Sequence, residues 1–187
     1  MPLNRTLDVS SGNAVKGKVH LRTLSLSDVG PLAAAYTRNA EYLAPWEPRR
    51  SEAFYTRAGQ DAVVRGKLNQ YAAGTEVPFV VLHDGDIIGQ ITLTGIVRGP
   101  FMNANLGYWV DQAFTGKGIA SSSVEAVLSI ASDDLGLHRV QAATLMHNVA
   151  SQTVLKRCGF ERIGLAPSYL HITGEWQDHV LYQRILF

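Results

Sequence analysis

Leu106-Gly107-Tyr108-Trp109-Val110-Asp111, a gap of three residues, then Thr115-Gly116-Lys117-Gly118-Ile119-Ala120: the fold turns on this stretch. The first six residues read as the end of a strand over Asn103 to Asp111. Gly107 inside it predicts a bulge or a close backbone approach. A helix begins after Gly118, because Ala120, Val124, Val127, Leu128, Ala131 and Leu135 fall on one face, and Gly136 is placed to stop it. Strand, glycine turn and helix leave the first-turn N–H groups without intrahelical partners, with the positive end of the helix dipole behind them. That is an anion site, and pyrophosphate suits it. A plain strand-to-helix turn carries the same local pattern, so the turn alone does not decide.

On the N-terminal side, Val19 to Leu24 alternates with strand period. Ser25 to Asp28 resembles a capping box, and Val29, Leu32, Ala33 and Tyr36 follow at helical spacing. Leu43 to Arg50 carries Pro45 and Pro48 around Trp46 and reads as a loop. Glu52 to Tyr71 reads as one helix weakened by Gly59 and Gly66. Val77 to Leu82 is a strand whose Pro78 favours a sheet edge or a strand start. Asp84-Gly85 marks a hairpin turn into a strand from Asp86 to Val97, ended by Arg98-Gly99-Pro100. On the C-terminal side, His138 to Leu145 is a strand. Asn148 to Cys158 is a short helix with Asn148 as N-cap and Gly159 beyond its end. Phe160 to Ile172 and Glu175 to Leu186 form a final hairpin about Thr173-Gly174.

The order β-α-α-β-β-β-α-β-α-β-β implies a mixed sheet, parallel where a helix intervenes and antiparallel at the hairpins. The 187 residues suit a single α/β domain, with residues 1–18 as a loose arm that could end in a strand and 19–187 as the folded unit. A hydrophobic content of 46% supplies a core, and a net charge of +1 leaves no electrostatic footprint for nucleic acid or an anionic membrane. An anionic ligand must then be held locally. One cysteine, Cys158, excludes an intrachain disulfide framework or a Cys-rich metal site. No signal-peptide core or bilayer-length apolar run is visible, so the expected setting is cytoplasmic.

Two nucleotide motifs fail. No glycine stands five residues before Gly116, and Gly118 occupies the position of the Ser/Thr that follows lysine in a phosphate-binding loop. Ser121 stands where the dinucleotide fingerprint needs its third glycine. The element order and Thr115-Gly116-Lys117-Gly118-Ile119-Ala120 instead resemble the GNAT superfamily of acetyl-CoA-dependent N-acetyltransferases, whose turn reads Gln/Arg-x-x-Gly-x-Gly/Ala. Thr115 departs from that pattern. Asn148-Val149-Ala150-Ser151 with Cys158-Gly159-Phe160-Glu161 resembles the subgroup that acetylates ribosomal-protein N-terminal alanines. Leu43 to Pro48 and Gly174 to His179 resemble the same subgroup, so the likeness runs from about Val19 to the C-terminus.

The resemblance implies a central, strongly splayed sheet flanked by helices. It also implies direct acetyl transfer from acetyl-CoA to a primary amine, without a metal. Trp109 and Val110 would offer backbone groups to pantetheine and the thioester carbonyl. Thr115, Gly116, Lys117, Gly118, Ile119 and Ala120 would hold pyrophosphate. Asn148 would bond the pantetheine amides, and Ser151 would donate the proton to sulfur, because Leu155 stands where many relatives carry a tyrosine. Ser151 could equally bond only backbone in its helical turn. Trp46 either covers the first helix or, with Glu47, would border the acceptor. His147 is a candidate base or merely a surface histidine, Asn103 and Asn105 offer no carboxylate, and Glu47 or Glu175 could hold a water. Trp176 and His179 are either packing residues or a wall of the acceptor site, and Cys158 reads as a buried inert thiol. The implied partner is a peptide or protein N-terminus, a ribosomal protein among them, with the enzyme acting as monomer or homodimer. Acetylation of a small amine and silent acyl-CoA binding are the alternatives, and the basic Arg49-Arg50 pair disfavours a polyamine.

Overall fold

The computed structural model describes residues 3–7 and 18–187. Eight strands form one mixed sheet in the order β1-β2-β3-β4-β5-β6-β8-β7. They are β1 (Asn4–Leu7), β2 (Val19–Thr23), β3 (Val77–His83), β4 (Asp86–Val97), β5 (Asn103–Val110), β6 (Arg139–Leu145), β7 (Glu161–Ile172) and β8 (Glu175–Ile185). Among the described residues, only β5 and β6 pair in parallel. The helices are α1 (Val29–Arg38), α2 (Ala40–Leu43), α3 (Arg57–Ala72), α4 (Ile119–Ser129) and α5 (Val149–Arg157). Residues Asn4–Leu7, inside the segment expected to be a loose arm, pair with β2 as an edge strand. Ser10-Ser11-Gly12-Asn13 lies outside the described residues.

Pleat alternation gives the sheet two buried faces. Leu21, Phe79, Ile91, Leu106, Val140 and Tyr182 pack with Val124, Val127 and Leu155 beneath α4 and α5. Val80, Leu82 and Trp109 pack with Leu32, Tyr36 and Val64 beneath α1 and α3. The Asp84-Gly85 and Thr173-Gly174 turns have positive φ at both central residues, the geometry that matches strand twist in a two-residue hairpin. Pro78 sits at the start of β3, an interior strand, so the strand-start alternative holds.

Two local expectations change. The helix expected from Glu52 to Tyr71 is broken at Thr56, after a 3-10 turn over Glu52–Tyr55. The Thr56 hydroxyl accepts from the Gly59 N–H at 3.1 Å and donates to the Ala53 carbonyl at 2.7 Å. Gly59 is required there, since a Cβ would lie 1.9 Å from the Ala53 oxygen. Gly107 makes no bulge either. The β4–β5 ladder runs unbroken from Gly89↔Val110 to Thr94↔Asn105, and the irregularity falls between Thr94 and Val97.

The end of β5 is anchored to α1. Asp111 accepts from Arg38 Nε at 2.6 Å, Asn39 Nδ2 at 3.0 Å and the Ala113 N–H at 2.9 Å. Asn39 Oδ1 in turn accepts from the Gln112 N–H at 2.9 Å. Burial alone would raise the Asp111 pKa. The bonds from Asn39, Ala113 and Arg38 outweigh it and hold the carboxyl below its usual range.

A depressed folded-state pKa means that the carboxylate stabilises the fold fully above the unfolded value near 3.9, and that this is lost as pH falls through the folded pKa. Thermal melts should therefore show the protein weakening below about pH 4. Asp111→Asn should cost about 1–3 kcal/mol at neutral pH and should flatten that acid limb. Parent-like melting at pH 7 would show that the clamp carries no stability.

Candidate active site

Strands β5 and β6 pair at three positions only, Asn103↔Arg139, Ala104↔Val140 and Asn105↔Gln141. Beyond these they part, and the gap holds a cavity of about 550 Å³ walled by Leu106–Val110 on one side and Ala142–Leu145 on the other. The Asp111 N–H donates to the Ile88 carbonyl at 2.7 Å. Alternation then turns the backbone groups of Trp109 toward β4, where it pairs with Gln90, and those of Tyr108 and Val110 into the gap. Val110 thus keeps the expected geometry. Trp109 does not: its backbone belongs to the ladder, and its buried indole Nε1 donates to the Tyr36 hydroxyl at 3.0 Å.

At one end of the gap, Thr115, Gly116, Gly118, Ile119 and Ala120 lie on the wall. Gly116 (φ 71°) and Gly118 (φ 80°) adopt left-handed backbone, and Gly118 caps α4 with no side chain in the way. The first N–H bonded back to the cap is that of Ser122, so those of Ile119, Ala120 and Ser121 remain for a ligand. Lys117 is the exception among the expected residues. It is not on the wall; its Nζ donates to the Ala113 carbonyl at 2.8 Å and sits 5.0 Å over the Phe114 ring. The Thr115 hydroxyl donates to the Gln112 carbonyl at 2.9 Å, leaving its residue to contribute backbone.

In the middle, Asn148 caps α5 by accepting the Ser151 N–H at Oδ1, 3.0 Å. Its Nδ2 makes no protein bond among the described residues, so an amide carbonyl of a ligand can meet it. The Ser151 side chain is on the wall and 2.9 Å from the Tyr108 hydroxyl. Burial pushes the Tyr108 pKa well above that of an ordinary phenol, despite the Ser151 bond. A motif-based reading passes over Tyr108. Its signal in the sequence is parity: Trp109 faces α1, so Tyr108 must face α5. Leu155 is fully buried, and burial followed by the nearby Glu125 pushes the Cys158 thiol up to about 12, which leaves it inert.

The other end opens on the α1 face. Trp46 and Glu47 line it with Tyr42, Leu170 and His179. Burial raises the Glu47 pKa, partly offset by Arg50, whose Nε lies 3.4 Å from the carboxylate. Glu47 is the one carboxylate on the wall among the described residues. Trp46 stacks on His147 at 5.5 Å, so the two sequence candidates meet at the rim, with His147 off the wall itself. His179 is buried on the wall. Its Nδ1 lies 2.9 Å from the Gln177 carbonyl, which accepts a hydrogen bond from it. Asn103, Asn105 and Glu175 are not on the wall, and Trp176 projects into solvent beside His171. Among the described residues, no group of three His, Cys, Asp or Glu could hold a metal, and no helix is long and apolar enough to cross a membrane.

Comparison with known proteins agrees with this geometry. Residues 18–161 match the model of the acetyltransferase (GNAT) domain. The chain is 36% identical to the ribosomal protein uS5-alanine N-acetyltransferase of Escherichia coli K12, over 82% of this chain and 80% of that one. The structure of the ribosomal-protein-S5-alanine acetyltransferase of Vibrio fischeri superposes with a TM-score of 0.85 at 34% identity, covering 89% of this chain and 92% of the other. RimJ of Mycobacterium smegmatis, in complex with a CoA disulfide, gives 0.87 at 30%, covering 90% and 82%. The splayed sheet, the family match and these relatives place the chain in the GNAT family, as an acetyl-CoA-dependent N-acetyltransferase.

Proposed function

We propose that this enzyme acetylates the N-terminal α-amine of a protein, with alanine as the first residue and a ribosomal protein as the partner. One observation carries the reading. The acceptor end presents one carboxylate, Glu47, in a wall otherwise made of Tyr42, Trp46, Leu170 and His179. That suits a single amine followed by a small side chain, with the peptide leaving past Trp46. A polyamine needs several carboxylates, and the wall has one. The E. coli relative is named for alanine of uS5, which supports the same acceptor. Such proteins are met in the cytoplasm.

In this reading Gly116, Gly118, Ile119 and Ala120 hold the pyrophosphate through backbone N–H groups, and Asn148 Nδ2 bonds a pantetheine carbonyl. The Val110 N–H faces the thioester oxygen, where charge develops as the amine attacks. Ser151 donates to the departing sulfur. An N-terminal amine has a pKa of roughly 7.7–8.0, so a useful fraction arrives neutral and ready to attack.

A panel of acceptors assayed with acetyl-CoA tests the acceptor. Peptides beginning with alanine should outpace N-blocked peptides, free amino acids and spermidine; preference for either small amine would overturn the proposal. Gly118→Val forces a β-branched residue into left-handed backbone at the anion end. It should weaken acetyl-CoA at least tenfold by calorimetry, about 1.4 kcal/mol, while the fold persists. Asn148→Ala should raise the KM for acetyl-CoA and cost about 1 kcal/mol through the lost cap. A fall in Tm alone would leave Asn148 as a cap only.

A further inference from the structure

We infer that Tyr108 is a positioning residue for acetyl transfer: from the opposite wall of the gap it holds the Ser151 hydroxyl toward the leaving sulfur. The inference rests on the placement of Ser151 beside that sulfur. The Tyr108 hydroxyl lies 2.9 Å from Ser151 Oγ and 3.3 Å from the Ser151 carbonyl. Tyr108 stands on β5 and Ser151 in the first turn of α5, so the contact bridges the two sides of the cleft. Both side chains are on the cavity wall. Leu155, one turn further along α5, is buried and has no proton to offer.

The inference takes Tyr108 as the donor, whose hydroxyl has two acceptors in reach, Ser151 Oγ and the Ser151 carbonyl. A tyrosine hydroxyl carries one proton, and burial keeps it on oxygen. When that proton points to Ser151 Oγ, the serine proton is free to point into the cleft. The Ser151 N–H is already committed to Asn148 Oδ1, which fixes the backbone from which the hydroxyl swings. Two aligned O–H dipoles polarise each other, so the pair is a stronger donor than serine alone. As the amine nitrogen bonds to the acetyl carbon, the C–S bond breaks and its electron pair stays on sulfur. Ser151 stabilises that pair by hydrogen bonding. The proton that turns thiolate into thiol is the one lost by the amine, passed through water. Tyr108 gives up no proton in the net reaction.

The test is a double-mutant cycle on the full chain, with whichever amine it acetylates best, so that a wrong acceptor does not disturb it. Tyr108→Phe keeps the ring and its packing. It should lower kcat about tenfold, with acetyl-CoA affinity by calorimetry and Tm unchanged. Ser151→Ala should lower kcat by at least as much. Tyr108→Phe added to Ser151→Ala should then do nothing further, because the group it positions is gone. Losses that multiply, a parent-like kcat in Tyr108→Phe, or weakened acetyl-CoA binding would each overturn the inference. A parent-like Ser151→Ala would overturn the placement of Ser151 itself, and the role of Tyr108 with it.

Discussion

The structure depends on a ladder that stops. Three parallel pairs join β5 to β6, and then two adjacent strands separate with no partner between them. The backbone groups of Tyr108 and Val110 face that gap. An unpaired buried peptide group costs about 1–3 kcal/mol, so such a gap is stable only where water or a ligand completes it. Each strand is held elsewhere. β5 is drawn to β4 and clamped through Asp111 to the end of α1, while β6 pairs with β8 over its whole length. The two anchors lie on opposite sides of the gap, and neither can close it without breaking its own bonds.

The same opening makes two reactants meet. In the proposed reading the pyrophosphate sits at the start of α4 and the amine arrives from the α1 face. Neither end relies on bulk charge, since the chain carries a net charge of only +1. In that reading the helix dipole and free N–H groups serve the anion end, and one half-buried carboxylate, Glu47, marks the acceptor end. The Asp111 clamp serves both. It fixes the end of β5, and through the Ala113 and Gln112 amides it fixes the turn that leads to Gly116 and Gly118. Stability and site geometry therefore share the same bonds.

Strand and helix order from Val19 onward, both tight hairpins and the glycine turn before α4 were legible in the sequence because each has a local cause: period, positive-φ residues, or a cap. Asn148 read correctly as an N-cap for the same reason. What failed was set at a distance. The break at Thr56 arises because the preceding 3-10 turn packs against Gly59, which periodicity does not see. Lys117 looked like a phosphate ligand but folds back over Phe114. The sequence leaves His179 open between packing and an acceptor wall, and only its strand register with Leu145, set across the sheet, puts it on the cleft wall. The turn of Trp109 toward β4 needed the pairing partner, because parity says which residues alternate but not which set faces the gap.

The Tyr108–Ser151 contact ties chemistry to the width of the gap. A tyrosine one turn further along α5 would carry its hydroxyl with its own helix and be indifferent to the distance between the strands. Here the hydrogen bond crosses from β5 to α5, so the donor is set only when the walls stand at one separation. That separation is fixed by the Asp111 clamp on one side and by the β6–β8 ladder on the other. A cleft opened by about 1 Å would take the 2.9 Å contact beyond useful hydrogen-bond range. Proton management at the sulfur is then a property of the splayed sheet as a whole, and not of the helix that carries the serine.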